Sequence, residues 1–270
     1  MKLSYGSLIG RSPVPVEIQG RVVGHIEIPR LKDIDAIGMK NFEVYEYFIS
    51  VSPKDLMTTV IKGGKDIWKQ LQRENKDKDV TLFDTIVLDR SLIQFYLEIM
   101  DFFFVEPVVF AKGRFFVLSH DVDASKGIKE SDVLGILDQT GLKTAIQVMR
   151  CVCCINKHSE KDNDEPVKFK SKIAEEIYNK IHSEDDEEIK KPQETPNKNL
   201  TLANIISVVA NFHCSLNYTN IYELTIPQLY DAFQRMQRYE MYDLQKRQVS
   251  VWGDEKNKFD PTVWYHNFQD

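Results

Sequence analysis

Residues 14–28, VPVEIQGRVVGHIEI, decide the fold class of this chain. Apolar and polar side chains alternate on both sides of Gln19-Gly20, which is the pattern of two strands that each bury one face. The pair Gln19-Gly20 lies where a turn would join them. The stretch therefore predicts a β-hairpin.

A second hairpin is predicted from residues 107–118, PVVFAKGRFFVL. Its apolar runs are separated by Ala111-Lys112-Gly113, and Gly113 can adopt the positive φ that a tight turn needs. Together the two hairpins predict a small antiparallel sheet.

Helices are predicted between and after the hairpins. From Leu31 to Ile49 apolar residues recur every three or four positions, as on one helical face. Asp89 or Ser91 can cap a second helix that ends before Pro107. Two more are predicted over Lys129 to Leu137, stopping near Gly141, and from Thr144 to about Cys154. Residues 1–157 are therefore expected to form an α+β domain.

The composition changes abruptly over residues 158–198, which are rich in Lys, Glu, Asp and Asn. Such a segment cannot build a core, so it predicts a charged, partly disordered linker. Within it Ile173, Ile177 and Ile181 have the spacing of a short amphipathic helix. Residues 199–270 are then expected to form a separate, all-helical C-terminal domain.

The clearest helix signal in that domain begins at Thr225. Thr225 suits the N-cap, Pro227 falls in the first turn, and Gln228 stands where a capping box requires it. The apolar pattern continues toward Gly253, a candidate C-cap, over about 25 residues or about 38 Å. A helix of that length needs a docking surface.

Composition excludes some function classes. The 270 residues are 42% hydrophobic. Their formal net charge is −6 at pH 7, so the composition indicates no basic surface for binding nucleic acid. Residues 1–6, MKLSYG, lack the apolar region of a signal peptide, and no run approaches roughly 18 to 20 apolar residues, so we expect no membrane span and a cytosolic protein. Three of its four cysteines lie too close together to form separate disulfides, which indicates reduced thiols.

The sequence signals for catalytic, metal or phosphate sites are weak. His120, Asp121 and Asp123 begin a calcium-loop-like spacing, but Lys126 occupies the position that needs glycine and Asp132 the position that needs glutamate. The segment is therefore expected to be a polar turn. The residues 151–154, CVCC, lack the paired spacing of zinc modules, and the glycines near Lys65 do not form a phosphate loop. We expect no enzyme activity, no metal and no cofactor.

Aromatic residues dominate the C-terminal part and suggest a protein interface, because Tyr and Trp are enriched in interfaces. The alternative is that a small helical domain uses them in its own core. The candidate partner-binding residues are Tyr222, Tyr230, Phe233, Trp252 and Trp264.

Two stretches resemble a known family. Residues 14–18 and 28–34, VPVEI and IPRLKDI, look like the opening of tailed-phage tail morphogenesis proteins. Residues 222–233, YELTIPQLYDAF, followed by Trp252-Gly253 and Trp264, resemble the closing region of tail assembly chaperones of long-tailed phages of Gram-positive hosts.

The resemblance implies a non-enzymatic late protein in the host cytoplasm that is absent from the finished virion. It implies that the chain keeps the tape measure protein soluble and recruits tail tube protein. Two alternatives stay open: a structural neck or baseplate component, and a metal-dependent enzyme built around His120, Asp121 and Asp123. Association with further copies of the chain is also open.

Overall fold

The computed structural model describes residues 3–74, 76–120, 127–155, 201–254, 259–262 and 264. Helices and two small antiparallel sheets alternate along them, so the chain is an α+β protein, as predicted. The elements are α1 (Tyr5–Ile9), β1 (Val14–Ile18), β2 (Arg21–Ile26), α2 (Leu31–Ile37), α3 (Met39–Ser50), α4 (Pro53–Val60), α5 (Gly64–Arg73), α6 (Leu82–Ile86), α7 (Arg90–Phe103), β3 (Val108–Ala111), β4 (Arg114–Leu118), β5 (Val133–Leu137), α8 (Gln139–Val152), α9 (Leu202–Phe212) and α10 (Ile226–Trp252).

Both predicted hairpins are confirmed. β1 pairs antiparallel with β2, and the two turn residues Gln19 and Gly20 have φ of 52° and 78°. β3 pairs antiparallel with β4 through Lys112 and Gly113, at φ of 50° and 73°. Positive φ at both central residues is what a two-residue hairpin turn of type I′ requires.

The prediction of a helix over Lys129 to Leu137 is wrong. Glu130–Asp132 form a single 3₁₀ turn, and Val133–Leu137 form β5, which pairs with β4 and completes a three-stranded sheet. Burial alternates along β5, with Gly135 and Leu137 buried and Leu134 and Ile136 exposed. A short apolar run is compatible with a helix or a strand, and here pairing with β4 makes it a strand.

The following helix begins earlier than predicted, and Gly141 lies inside it rather than at the end of a preceding helix. α8 starts at Gln139, where the Asp138 carboxylate accepts a hydrogen bond from the Gly141 amide at 2.9 Å. A Cβ on Gly141 would lie 2.9 Å from Ile18 Cδ1, so glycine here permits close packing of α8 on β1. Gly135 has a similar role, since its Cβ would lie 2.6 Å from the Val23 carbonyl oxygen.

Residues on both sides of the charged segment share one hydrophobic core. Phe42 and Ile99 belong to the same buried cluster as Ile205, Val209 and Leu229. The predicted linker, residues 158–198, and its predicted helix lie outside the described residues. The division into 1–157, 158–198 and 199–270 therefore stays a prediction, while α9 and the start of α10 demonstrably pack on the core that residues 3–155 build.

Backbone hydrogen bonds reinforce this packing. The Leu31 amide donates to the Leu224 carbonyl at 2.9 Å, and the Ile226 amide donates to the Pro29 carbonyl at 3.3 Å. Arg30 and Thr225 form an antiparallel β-bridge between these two bonds. The chain just before α10 is thus held against the start of α2.

The capping box of α10 is confirmed. The Thr225 hydroxyl accepts from the Gln228 amide at 3.4 Å, and Gln228 Oε1 accepts from the Thr225 amide at 3.1 Å. Pro227 lies in the first turn, and the helix ends at Trp252 before Gly253, whose φ is 76°. Its 27 residues span about 40 Å at 1.5 Å per residue.

Candidate protein-binding surface

The first part of α10 belongs to the fold. Its buried residues are Ile226, Pro227 and Leu229, all within the first turns of the helix. Tyr222, Tyr230 and Phe233, three of the predicted partner-binding residues, are half-buried and pack against the hydrophobic core. Much of the surface of these three side chains is therefore occupied within the chain.

Polar contacts fix the direction of this part of the helix. The Tyr5 hydroxyl donates to Asp231 Oδ1 at 2.9 Å and accepts from Arg235 at 2.7 Å, while Arg235 Nε donates to Asp231 Oδ2 at 2.9 Å. Burial raises the pKa of Tyr5, and its hydrogen bond from Arg235 opposes that rise without cancelling it. The neutral phenol thus remains available as a donor to Asp231.

A further bond ties α10 to α1. The Gln228 side-chain amide donates to the carbonyl of Ile9, the last residue of α1, at 2.8 Å. With the contacts of Tyr5, it anchors α10 at both its first and third turns. The direction in which the rest of α10 points is set by these bonds and by the core below them.

The rest of α10, residues 237–252, which we call the distal segment, contains no buried residue. Besides Tyr239, four large apolar side chains on it are exposed: Met241 by 56%, Leu244 by 51%, Val251 by 69% and Trp252 by 80%. At about 100° of rotation per residue, all four fall within an arc of about 100°. We call these four residues the distal stripe. Exposed apolar patches are typical of protein–protein interfaces, so the distal stripe is the candidate binding surface.

The opposite face of the distal segment carries aromatic residues that contact the chain beyond the helix. The Tyr242 ring stacks on Phe259 with centroids 5.6 Å apart, and the Tyr239 ring meets Trp264 edge-on at 6.1 Å. Tyr242 also lies 6.3 Å from Trp264. These contacts brace the helix on one side and leave the distal stripe exposed on the other.

The predicted partner-binding residues therefore do not form one surface. Tyr222, Tyr230 and Phe233 lie near the core, Trp264 lies in the aromatic brace, and Trp252 alone belongs to the distal stripe. Its neighbours Met241, Leu244 and Val251 were not predicted as a surface. Their common spacing was visible in the sequence, but their exposure depends on where the core stops along α10.

The residues proposed for metal chemistry are only partly described. His120 Nδ1 lies 2.9 Å from Ser119 Oγ, and His120 Nε2 lies 3.7 Å from an Asp132 oxygen. Asp121 and Asp123 lie outside the described residues. Within the described ranges, no group of three or more His, Cys, Asp or Glu side chains is placed to hold a metal ion. Likewise, no helix described here is long and apolar enough to cross a membrane.

One concave region holds several carboxylates. A cavity of about 400 Å³ is lined by Glu98, Asp101, Tyr45 and Phe102, together with residues of α2 and of the segment that joins β2 to α2. Burial raises the pKa of Tyr45, and the charges of Glu98 and Asp101 raise it further. This phenol stays protonated and is a poor nucleophile.

Comparison with known proteins bears on the same region as the distal stripe. A family model described as the second domain of YomV matches residues 190–269, which include α9 and α10. The family is phage-associated, so the match is consistent with a phage protein. Searches of curated proteins and of solved structures gave no match.

Proposed function

We propose that this chain is a non-enzymatic phage protein that binds another protein through the distal stripe of α10. The observation that carries the proposal is the exposure of Met241, Leu244, Val251 and Trp252 along one face of an anchored helix. The phage-associated family match covers this helix, which supports a role in phage biology.

The energetics favour a protein partner. Fully burying one large apolar side chain is worth about 1.5–3 kcal/mol, and the stripe presents four such side chains on one rigid element. The hydrogen bonds of Tyr5, Asp231 and Arg235 hold the helix in place before any partner arrives. A partner therefore does not have to order the helix, which lowers the entropic cost of binding.

More specifically, we propose a tail assembly chaperone that acts in the host cytoplasm on the tape measure protein and the tail tube protein. Support comes from the resemblance of residues 222–233 to tail assembly chaperones, together with the phage-associated match over residues 190–269. The simplest partner surface is an amphipathic helix packed along the stripe, since helices bound in this way present apolar residues at the same spacing of three and four residues.

The proposal predicts that Leu244→Asp abolishes capture of the partner. The tape measure protein and the tail tube protein should each be co-expressed with the chain, separately, and recovered by pull-down. A charge in the middle of an apolar interface is costly to bury, so a loss of at least tenfold in capture is expected. Leu88→Asp is the matched control, because Leu88 is 57% exposed and lies outside α10.

The outcomes separate the parts of the proposal. Capture by the original chain and by Leu88→Asp, but not by Leu244→Asp, supports the surface and the partner together. Capture that survives Leu244→Asp unchanged places the binding surface elsewhere. Failure of the original chain to capture either protein rejects the tail partners.

A further inference from the structure

Polar residues complete a heptad pattern along the exposed face of α10. Met241, Leu244, Gln248 and Val251 follow one another at intervals of three, four and three residues, and Gln237 precedes Met241 by four. In coiled coils such positions face the partner helix. Gln237 and Gln248 are both exposed, so the apolar and amide positions together form one continuous face.

Two opposite charges flank this face. Glu240 and Arg247 each come directly before an interface position, are seven residues apart, and are exposed. In a coiled coil, residues at such flanking positions lie beside those of the partner helix and select its register and direction. Arg247 also pairs with Asp243 along its own helix at 2.7 Å, an interaction that an exposed guanidinium can share.

We propose that a second copy of this chain covers the distal stripe, with the two α10 helices packed antiparallel about a two-fold axis. In this arrangement Met241 of each helix lies against Leu244 of the other. Gln237 lies against Gln248, so that the two side-chain amides can hydrogen-bond. Glu240 of each helix then lies beside Arg247 of the other, which gives two interhelical ion pairs.

The other arrangements do not pair these charges as well. Sliding one antiparallel helix by a heptad places Arg247 beside Arg247, and it sets Leu244 against the Gln248 amide. A parallel pair places Glu240 beside the uncharged Gln245 and forms no flanking ion pair. Like charges held together across an interface are destabilising, so the charge pattern selects the antiparallel arrangement with two Glu240–Arg247 pairs.

This pairing and the proposed function use one surface. The second copy would occupy the distal stripe until a tail protein displaces it, so the two associations would compete. The inference rests on the pattern of α10 and needs no particular tail partner, and its test uses the chain alone. Failure of the self-pairing therefore leaves the capture experiment unaffected, and the reverse also holds.

Charge exchange tests the proposal. Size-exclusion chromatography with light scattering, at tens of micromolar protein, should give the original chain a mass of about twice its single-chain value of 31.4 kDa. Glu240→Arg alone and Arg247→Glu alone should each weaken the dimer at least tenfold, because each creates two repulsive pairs. The double variant E240R/R247E should restore the dimer, since both pairs are again opposite in charge.

Lys246→Glu is the matched control, because Lys246 is exposed and lies about 140° around the helix from Met241. Its mass should remain that of the dimer. Circular dichroism melts confirm that each variant is folded. A monomeric mass for the original chain, or a dimer that persists in both single variants, would overturn the proposal, as would a double variant that stays monomeric while folded.

Discussion

Leu229→Ala is expected to lower the free energy of unfolding by about 2–5 kcal/mol. Leu229 is completely buried, and it belongs to the same core cluster as Phe42 and Ile99 from the first half of the chain. Truncation removes buried methyl groups and leaves a cavity between α10 and that core. The measurement is urea denaturation followed by circular dichroism.

The control is Leu88→Ala, the same substitution at a side chain that is 57% exposed and lies outside α10. Its effect should stay within about 0.5 kcal/mol, as for most surface positions. If Leu229→Ala is equally mild, the start of α10 does not depend on the shared core. A loss confined to one of two separate unfolding transitions would instead favour an independent C-terminal domain.

Trp252→Ala is expected to weaken binding of the protein partner by about 2 kcal/mol, or roughly thirtyfold, which is typical of an interface hot spot. Because Trp252 is 80% exposed, the thermal melting temperature of the free chain should hardly change. The measurements are isothermal titration with the captured partner and a thermal melt of each chain.

Tyr230→Ala provides the contrast. Tyr230 packs against the core in the first part of α10, so its truncation should lower stability by up to about 3–5 kcal/mol while the folded protein keeps its affinity. The account of the surface fails if Trp252→Ala binds as tightly as the original chain, or if Trp252→Ala destabilises the fold as much as Tyr230→Ala does.

Local signals predicted much of the fold. The turns at Gln19-Gly20 and Lys112-Gly113 and the capping box from Thr225 to Gln228 all act within a few residues, so the printed sequence contains the whole interaction. β5 was missed because its five residues, VLGIL, are apolar at both helical and strand spacing. Only the presence of β4 beside them, distant along the chain, makes a strand the better structure.

The surface was harder to predict than the fold. Tyr230 and Trp252 are both aromatic, lie on one helix and were predicted for one role, yet one packs against the core and the other is exposed. What separates them is the point along α10 where the core ends. That point is set by the elements that pack against α10, among them α1 and α9, and periodicity within α10 carries no information about it.

Amide hydrogen exchange on the chain, alone and with its captured partner, tests the central claim most directly. Alone, at a concentration low enough to keep the chain monomeric, the amides of residues 237–252 should exchange faster than those near Leu229, because the distal segment has no buried residue. The partner should slow exchange most strongly across residues 237–252. Protection that appears only elsewhere, with residues 237–252 unchanged by the partner, would contradict the assignment of the distal stripe as the binding surface.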